Sequence, residues 1–409
     1  MEFDRIHFYV KDAPTLRDLF VSQLGFQAIA SAANNNTSTE VVSNGSICFI
    51  LSSPLTAASP VATWLKLHPP GVVDIAFRVG NLESVMAQAT THGAKVLQPI
   101  QQKQDYLKFA KITGWGDLTH TLIEQKTPLT VGQLFTILEQ SESANDQALP
   151  FTTLVNYRSP ITDRQLPITN YQLPITDRQL PITNYQSPIT NSKALFTSID
   201  HAVLNVETGD LELAVKWYQN TLGFQPQQNF EIQTKKSALR SRVMIHSSGS
   251  VQLPINEPAS ANSQIQEFLD ANRGAGIQHI ALQTNNILQV VTELRSRGLP
   301  FLPVPSTYYS ELRRQSENYL SSAEWEAIEV CQVLVDWQKN ISEAMLLQIF
   351  TQPIFEQPTL FFELIERRKA WVKGQQIQAQ GFGEGNFQAL FEAIEREQIK
   401  RGSLRKEDI

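Results

Sequence analysis

The chain contains very little cysteine. Only Cys48 and Cys331 occur among 409 residues, so neither a disulfide framework nor a zinc site built from cysteines can form. This scarcity is typical of a protein that works in a reducing compartment.

A basic excess is also absent. Lys and Arg number 34 against 40 Asp and Glu, which gives a net charge of −6. A broad nucleic-acid surface normally needs excess positive charge, so we expect no nucleic-acid partner. No run of about 18 apolar residues occurs, and the opening stretch MEFDRIHFYV contains acids and no apolar signal core. We therefore expect no membrane segment, no secretory signal and a cytoplasmic location.

The most regular feature of the chain is a proline repeat. Seven-residue units run from residue 159 to 193, each with proline at its second position: SPITDRQ, LPITNYQ, LPITDRQ, LPITNYQ and SPITNSK. Proline lacks a backbone N–H and restricts the residue before it, which excludes a continuous helix, a coiled coil or a central strand. We interpret residues 151–195 as an exposed linker, with a docking repeat for a partner as the alternative.

The segments on either side of this linker resemble each other. His7 is followed by Gly25 in QLGFQ, and His201 is followed by Gly223 in TLGFQ. The later segments VDIAFRVGNLESVMAQ and QHIALQTNNILQVVTEL also share a strand and helix pattern. One unit, made of a strand, a helix and several strands, is therefore used repeatedly. This predicts an α+β chain with two related halves, residues 1–150 and 196–409.

Three titratable residues stand inside apolar, strand-like runs of the second half. His201 lies in SIDHAVLNV, His279 in GIQHIALQT and Glu363 in TLFFELIER. Two imidazoles and one carboxylate form the facial set that holds non-haem Fe(II) and leaves coordination positions open. Taken singly, a strand histidine is more often a hydrogen-bonded core residue, and a buried glutamate is more often half of an ion pair. Because both histidines fall on corresponding strands of the repeated unit, we predict a metal site.

The first half differs at these positions. The aligned pairs are His7 with His201, Asp74 with His279, and Thr121 with Glu363. We therefore predict that the first half binds no metal and serves as a structural half. The remaining histidines are expected to be hydrogen-bonded or at the surface: His68, His92, His120 and His246.

Longer motifs in the second half carry a family resemblance. In order from residue 199 to about residue 404 they include IDHAVLNV, LRSRVM, VQLPINEPA, SQIQEFLDANRGAGIQHIALQTNNI, VPSTYYSELR, LLQIFTQP, PTLFFELIER and GFGEGNFQALFEAIEREQ. These stretches closely resemble the 4-hydroxyphenylpyruvate dioxygenase family of the vicinal-oxygen-chelate superfamily, and the first half more weakly resembles its degenerate N-terminal domain. The resemblance implies two tandem vicinal-oxygen-chelate domains built from paired βαβββ modules that form half-open barrels, with a C-terminal lid helix.

The resemblance also implies roles for individual residues. His201, His279 and Glu363 would hold Fe(II), one ion per chain, with O2 as a co-substrate. Catalytic and substrate-binding roles are implied for residues whose hydroxyl and amide groups would hydrogen-bond to the substrate's carboxylate or its phenol. These residues are Ser241, Asn256, Gln264 and Gln348.

Aromatic and C-terminal residues complete the implied site. The further substrate contacts are Gln278, Phe350, Phe382, Asn386 and Phe387. Phe350 and Phe387 would be the aromatic walls, whereas strand alternation places Gln278 on the opposite face from His279. The glycines of GFGEG permit hinge conformations, and Asn386 is a candidate N-cap for the next helix. In the family this helix closes over the iron pocket; a permanently packed helix is the alternative.

The implied reaction converts 4-hydroxyphenylpyruvate, a small aromatic α-keto acid, into homogentisate and CO2 by oxidative decarboxylation, ring hydroxylation and side-chain migration. Family analogy also suggests a homo-oligomer, either a dimer or a tetramer. One alternative is 4-hydroxymandelate synthase, with the same ligands and substrate but benzylic hydroxylation. A ring-cleaving extradiol dioxygenase is less favoured, because PINEP and GNFQALFEAIE belong to the keto-acid group. The third alternative is a non-catalytic binding protein of the same fold, against which the intact His, His, Glu set argues.

Overall fold

A computed structural model describes residues 1–103, 105–126, 152–153, 194–234, 236–315, 320–338, 341–372 and 375–404. The proline repeat at residues 159–193 lies outside these described residues, as does most of the predicted linker 151–195. In the described part of the chain, no helix combines the length and apolar character needed to cross a membrane.

The described part of the first half follows the order of elements that the repeated unit predicts. Its strands are β1 (Glu2–Tyr9), β2 (Gln27–Ala33), β3 (Thr37–Asn44), β4 (Ile47–Pro54), β5 (Gly71–Arg78), β6 (Val96–Lys103), β7 (Leu107–Thr113) and β8 (Thr119–Gln125). A short strand from the predicted linker, β9 (Thr152–Thr153), pairs with β2. Its helices are α1 (Ala13–Ser22), α2 (Pro60–Leu67) and α3 (Leu82–Thr91).

The second half repeats this order and adds further helices. Its strands are β10 (Ser198–Asn205), β11 (Phe224–Gln233), β12 (Ala238–His246), β13 (Gln252–Pro258), β14 (Gly276–Gln283), β15 (Leu334–Gln338), β16 (Ile341–Phe350), β17 (Phe361–Arg367), β18 (Lys369–Val372) and β19 (Gln375–Gln378). Its helices are α4 (Leu211–Leu222), α5 (Gln264–Asn272), α6 (Ile287–Ser296), α7 (Ser306–Gln315), α8 (Ser322–Cys331) and α9 (Glu384–Arg401).

Each half is built around one large sheet. The strand orders are β6-β7-β8-β5-β1-β4-β3-β2-β9 and β11-β12-β13-β10-β14-β17-β16-β15. Each sheet contains two copies of the unit, which consists of a strand, a helix and three more strands. The first strands of the two copies pair antiparallel, β1 with β5 in one sheet and β10 with β14 in the other. The predicted α+β fold with paired βαβββ modules is confirmed. It places β10, β14 and β17 side by side in the middle of the second sheet.

Equivalent carboxylates start a helix in each half. Glu124 accepts a hydrogen bond from the backbone N–H of Leu82 at 2.7 Å, at the start of α3. Glu366 accepts from the backbone N–H of Ile287 at 2.7 Å, at the start of α6. A carboxylate at a helix N-terminus satisfies an unpaired backbone N–H and complements the positive end of the helix dipole. Both halves therefore share this hydrogen bond at the helix start as well as the strand order.

Aromatic side chains join the two halves into one core. Phe362 of β17 packs against Phe20 and Phe49 of the first half, with ring centroids 5.8 Å and 5.9 Å away. Because successive strand residues point to opposite faces, Glu363 faces away from this contact. On β17, Phe362 thus packs into the core between the halves, and Glu363 points to the other face of the second sheet.

A buried histidine lies at the same boundary. The Nδ1–H of His120 donates to the carbonyl of Ile75, and its Nε2 lies 3.1 Å from the hydroxyl of Tyr218 in the second half. The expectation of a hydrogen-bonded histidine is met at this position. Burial lowers the pKa of His120 to about 4.

The low pKa of His120 predicts a loss of stability in acid. In the unfolded chain the same ring titrates near 6.5, so below that pH protonation favours the unfolded state. The contribution is full above pH 6.5 and falls as the pH drops towards 4, by up to about 3 kcal/mol. Denaturant unfolding at pH 7 and pH 5 should show a smaller pH dependence for His120→Gln than for wild type. His92→Gln, at the exposed end of α3, is the control and should match wild type; equal pH dependence in all three proteins would contradict the prediction.

Candidate metal centre

Adjacent strands carry the predicted metal ligands. His201 on β10 lies opposite Ala281 of β14. Glu363 on β17 lies opposite the same alanine from the other side. His279 precedes Ala281 by two residues, so strand alternation points both to the same face of the sheet. The small alanine side chain leaves room for the three larger side chains to converge.

The donor atoms of these side chains come together in a buried cluster. The Nε2 atoms of His201 and His279 lie 3.2 Å and 3.5 Å from Oε2 of Glu363. One donor atom from each residue lies within 4.8 Å of the others, and all three residues are buried. Two imidazole nitrogens and a carboxylate oxygen on one side of a site fit Fe(II). The residues present therefore agree with the metal that the sequence resemblance implies.

The charges in this cluster depend on one another. Burial alone would lower the pKa of His201, but the carboxylates of Glu363 and Asp200 outweigh it and raise this pKa to about 9. Burial would raise the pKa of Glu363, yet the two imidazoles lower it to about 2. For His279, burial dominates and lowers the pKa. In the absence of a metal, the His201 imidazole thus holds a proton against an ionised Glu363, and a divalent ion would take the proton's place.

A carboxylate and a guanidinium behind His201 fix its ring. Asp200 accepts a hydrogen bond from His201 Nδ1 at 2.8 Å, which leaves Nε2 directed at the cluster. Both Asp200 oxygens accept from Arg367, each at 2.7 Å. Arg367 also donates to the carbonyl of Gly381 at 2.8 Å. Such partners fix the orientation and the donor nitrogen of a metal-binding histidine.

The sequence reasoning missed Asp200 and Arg367. Asp200 stands directly before one predicted ligand in SIDHAVLNV, and Arg367 follows another by four residues in FFELIER. Asp200 is also the extra residue of a β-bulge, since Ile199 pairs with Leu282 and His201 with Ala281. The bulge lets two consecutive residues share one site, which simple alternation does not predict.

Gln348 contacts both Asn386 and a predicted ligand. The Gln348 Nε2 donates to Oε1 of Glu363 at 2.9 Å and to the carbonyl of Phe382 at 3.0 Å. Its Oε1 accepts from Asn386 Nδ2 at 2.7 Å. The Gln348 amide is therefore engaged at both ends. The prediction that Asn386 caps the C-terminal helix is wrong, because α9 begins at Glu384 after Gly383 and Asn386 lies in its first turn.

A pocket opens onto this cluster. It is lined by the three predicted ligands and by Ser241, Asn256, Gln264, Gln278, Phe350 and Phe382. Helix α9 contributes the apolar side chains Leu390, Phe391 and Ile394 to the same lining. The pocket therefore combines a few polar groups with aromatic and aliphatic walls, the composition of a small-molecule site. The side chain of Phe387 lies outside the described part of the chain.

The expectation that Gln278 faces away from His279 is wrong. Val203 pairs with His279, but its neighbour Leu204 pairs with Ile277, so Gln278 is the extra residue of a second bulge. Both Gln278 and His279 consequently line the pocket. β-Bulges commonly re-aim side chains beside functional sites.

Besides Nδ1 of the predicted ligand His279, two buried polar atoms around the pocket have no hydrogen-bond partner among the described residues. They are Oε1 of Gln264 and Nδ2 of Asn205. The Oδ1 of Asn205 accepts from Asn256 Nδ2 at 3.3 Å. Because an unpaired buried polar atom is costly, these groups suit a ligand that supplies the missing partners.

In the first half, strand register changes one predicted equivalence. Ala76 in the segment IAF and Ala281 in the segment IAL are equivalent residues of the two halves. Arg5 of β1 lies opposite Ala76, just as His201 of β10 lies opposite Ala281. The alignment of His7 with His201 is therefore wrong by two residues. The other two equivalences agree with the register, since β5 and β8 pair as β14 and β17 do. The residues at the places of the three predicted ligands are Arg5, Asp74 and Thr121.

Known protein families match both halves of the chain. A family model described as the N-terminal part of hydroxyphenylpyruvate dioxygenase matches residues 1–128. A model of the glyoxalase, bleomycin resistance protein and dioxygenase superfamily matches residues 198–315. Each half thus matches a model that agrees with its predicted fold.

Full-length relatives extend these matches. The 4-hydroxyphenylpyruvate dioxygenase of Coccidioides posadasii is 33% identical, with 98% of this chain and 94% of the relative aligned. That of Yarrowia lipolytica is also 33% identical, over 98% of this chain and 93% of the relative. Among solved structures, a triple mutant of 4-hydroxymandelate synthase from Streptomyces coelicolor has a TM-score of 0.74 and 24% identity, covering 97% of this chain and 98% of that one. The structural match supports the fold.

Proposed function

The chain belongs to the hydroxyphenylpyruvate dioxygenase family, and from this premise we propose that it is a non-haem Fe(II) dioxygenase that converts 4-hydroxyphenylpyruvate and O2 into homogentisate and CO2. The observation that carries the proposal is the convergence of His201, His279 and Glu363 at a pocket with aromatic walls. The predicted homo-oligomer and the role of the proline repeat stay predictions.

The chain's own residues would hold the metal in one orientation. The Nε2 atoms of both histidines and Oε2 of Glu363 are the donors, while Gln348 holds the other oxygen of Glu363. This arrangement would leave one oxygen of Glu363 for the metal and the pocket side of the site for substrate. When bound, Fe(II) supplies the coordination positions for the keto acid and O2, and the redox chemistry that joins them.

The pocket walls would orient the aromatic end of the substrate. The keto-acid end must reach the metal, so the phenol points towards polar residues elsewhere in the lining. The free Oε1 of Gln264 can accept a hydrogen bond from the phenol hydroxyl, which would satisfy an otherwise unpaired buried atom. Phe350 and Phe382 flank the metal ligands, and α9 covers the pocket with aliphatic side chains. Together they would exclude water from the reacting groups.

The alternative 4-hydroxymandelate synthase would use the same substrate, metal and donors. The similar fold of the Streptomyces coelicolor enzyme keeps this alternative open. The two reactions differ in where the second oxygen atom enters: the aromatic ring for homogentisate, the benzylic carbon for 4-hydroxymandelate. The product therefore separates them.

We expect homogentisate from the purified chain. Protein reconstituted with Fe(II) under anaerobic conditions would be given 4-hydroxyphenylpyruvate and O2, and products separated by chromatography against both standards. The metal-free protein is the control and should give no product. 4-Hydroxymandelate as the sole product would favour the alternative, and absence of any O2-dependent product would favour a non-catalytic binding protein.

A further inference from the structure

A tyrosine on α7 contacts the first turn of the C-terminal helix. The hydroxyl of Tyr308 lies 2.9 Å from Oδ1 of Asn386 and 3.1 Å from the carbonyl of Val335. It also accepts a hydrogen bond from the backbone N–H of Val335 at 2.9 Å. Since β15 carries Val335 and α9 carries Asn386, the phenol ties the helix to the edge strand of the second sheet.

The Tyr308 hydroxyl sets the orientation of the Asn386 amide, which in turn sets that of the Gln348 amide. An amide oxygen can only accept and an amide nitrogen can only donate. The single proton of the Tyr308 hydroxyl can go to Oδ1 of Asn386 or to the carbonyl of Val335, and the shorter distance, 2.9 Å against 3.1 Å, favours Asn386. This bond leaves the nitrogen of Asn386 facing Gln348. The Gln348 oxygen accepts from this nitrogen, so its own nitrogen faces Oε1 of Glu363. A single hydroxyl on α7 thus determines how a predicted metal ligand is held.

The fold brings this chain of amides unusually close to the start of α9. Gly383, the residue before the helix, has φ +77°. A Cβ at this position would clash with the amide oxygen of Gln348. The carbonyl of the preceding residue, Phe382, accepts a further bond from Gln348. The start of α9 therefore packs directly against the Gln348 amide.

We propose that Tyr308 is a positioning residue that couples the seating of α9 to the orientation of Gln348 and Glu363. When α9 moves away, Asn386 leaves Gln348, and Glu363 loses the donor that holds Oε1. The metal site is therefore complete only beneath a closed helix. This inference rests on the proposed function, because it takes Glu363 to be a metal ligand.

The neighbouring tyrosine provides a matched control. Tyr309 is also buried, and its hydroxyl donates to the carbonyl of Val333 at 3.2 Å, next to β15. Among the residues that the structure describes, its hydroxyl makes no hydrogen bond to α9. Tyr308→Phe and Tyr309→Phe each remove one hydroxyl that bonds to nearby backbone, but only the first breaks the connection to Asn386.

The test uses the full-length chain and Co(II), whose absorption spectrum reports the geometry of its ligands. Wild type and both variants would be titrated with Co(II), and hydrogen exchange of the α9 amides would be followed by mass spectrometry. For Tyr308→Phe we expect roughly tenfold faster exchange at the start of α9. We also expect roughly tenfold weaker Co(II) binding with an altered spectrum. Tyr309→Phe should match wild type in all three readouts.

The outcomes separate this inference from the proposed function. If wild type binds no Co(II), the proposed metal site itself fails. If wild type binds Co(II) and Tyr308→Phe shows the same exchange, affinity and spectrum, the coupling is overturned. Faster exchange without a change at the metal would also overturn it, since Tyr308 would then only fasten the helix. Equal effects in both variants would overturn it by pointing to a general loss of packing.

Discussion

Replacing Glu363 by alanine is expected to abolish both Fe(II) retention and turnover. The substitution removes the only carboxylate among the three converging donors and the negative charge that faces both imidazoles. Two neutral imidazoles alone would leave the ion short of one protein ligand and its charge. Iron bound per chain after gel filtration, measured together with product formation, checks this expectation.

Glu366 supplies the matched control on the same strand. Glu366→Ala removes the same group three residues further along β17, where the carboxylate starts α6 instead of facing the metal ligands. Its loss should cost about 1 kcal/mol of stability, as the loss of a helix cap does, and leave iron binding intact. A Glu363→Ala protein that retained iron and full activity would contradict the ligand assignment.

Replacing Arg367 by methionine is expected to damage both stability and metal binding. Arg367 and Asp200 are nearly inaccessible to solvent, with 8% and 4% of their side-chain surfaces exposed. Removing Arg367 leaves His201 as the remaining partner of the buried Asp200 carboxylate, and breaking a buried ion pair in this way typically costs about 3–5 kcal/mol. Because Asp200 orients His201, metal affinity should also fall, by roughly 10- to 100-fold. Thermal unfolding of the metal-free protein and Co(II) titration measure the two effects separately.

The adjacent arginine is the control for this change. Arg368 forms ion pairs with Glu366 and Glu324, and 25% of its side-chain surface is exposed. Arg368→Met should therefore change stability by no more than about 1 kcal/mol and leave metal affinity unchanged. Equal losses in both variants would show that the Arg367 contact with Asp200 has no special role.

The sequence was sufficient to predict the fold and to select the three candidate ligands. The α+β modules follow from repeated strand and helix patterns, and the predicted metal set follows from residue types inside apolar strands. His201, His279 and Glu363 were conspicuous because polar groups are rare in such runs. Their convergence depends on the order of the strands in the sheet, which the structure shows.

The wrong predictions about individual residues arise from features that regular strand alternation does not describe. The bulges at Asp200 and Gln278 each insert one residue into a paired strand, which changes the face of a side chain locally. The alignment of His7 with His201 depends on the shared residue type and not on the residues around it. Strand pairing instead places Arg5 at the position of His201.

Other site residues could not be found because their partners are distant in the chain. Arg367 reaches Asp200 across 167 residues, and Tyr308 reaches Asn386 across 78. No local pattern marks such pairs, since they form only when β10, β17, α7 and α9 are assembled. Asn386 illustrates the same limit: its residue type suggested a helix cap, but its amide bonds to Gln348 and Tyr308.

The product assay run under ¹⁸O₂ tests the central claim most directly. If the chain is the proposed dioxygenase, each homogentisate molecule should contain two ¹⁸O atoms, one in the new carboxylate and one in the ring hydroxyl, and the released CO2 none. Fragment masses locate both atoms and so distinguish ring from benzylic hydroxylation. Unlabelled product, or consumption of substrate without ¹⁸O uptake, would contradict the proposed function.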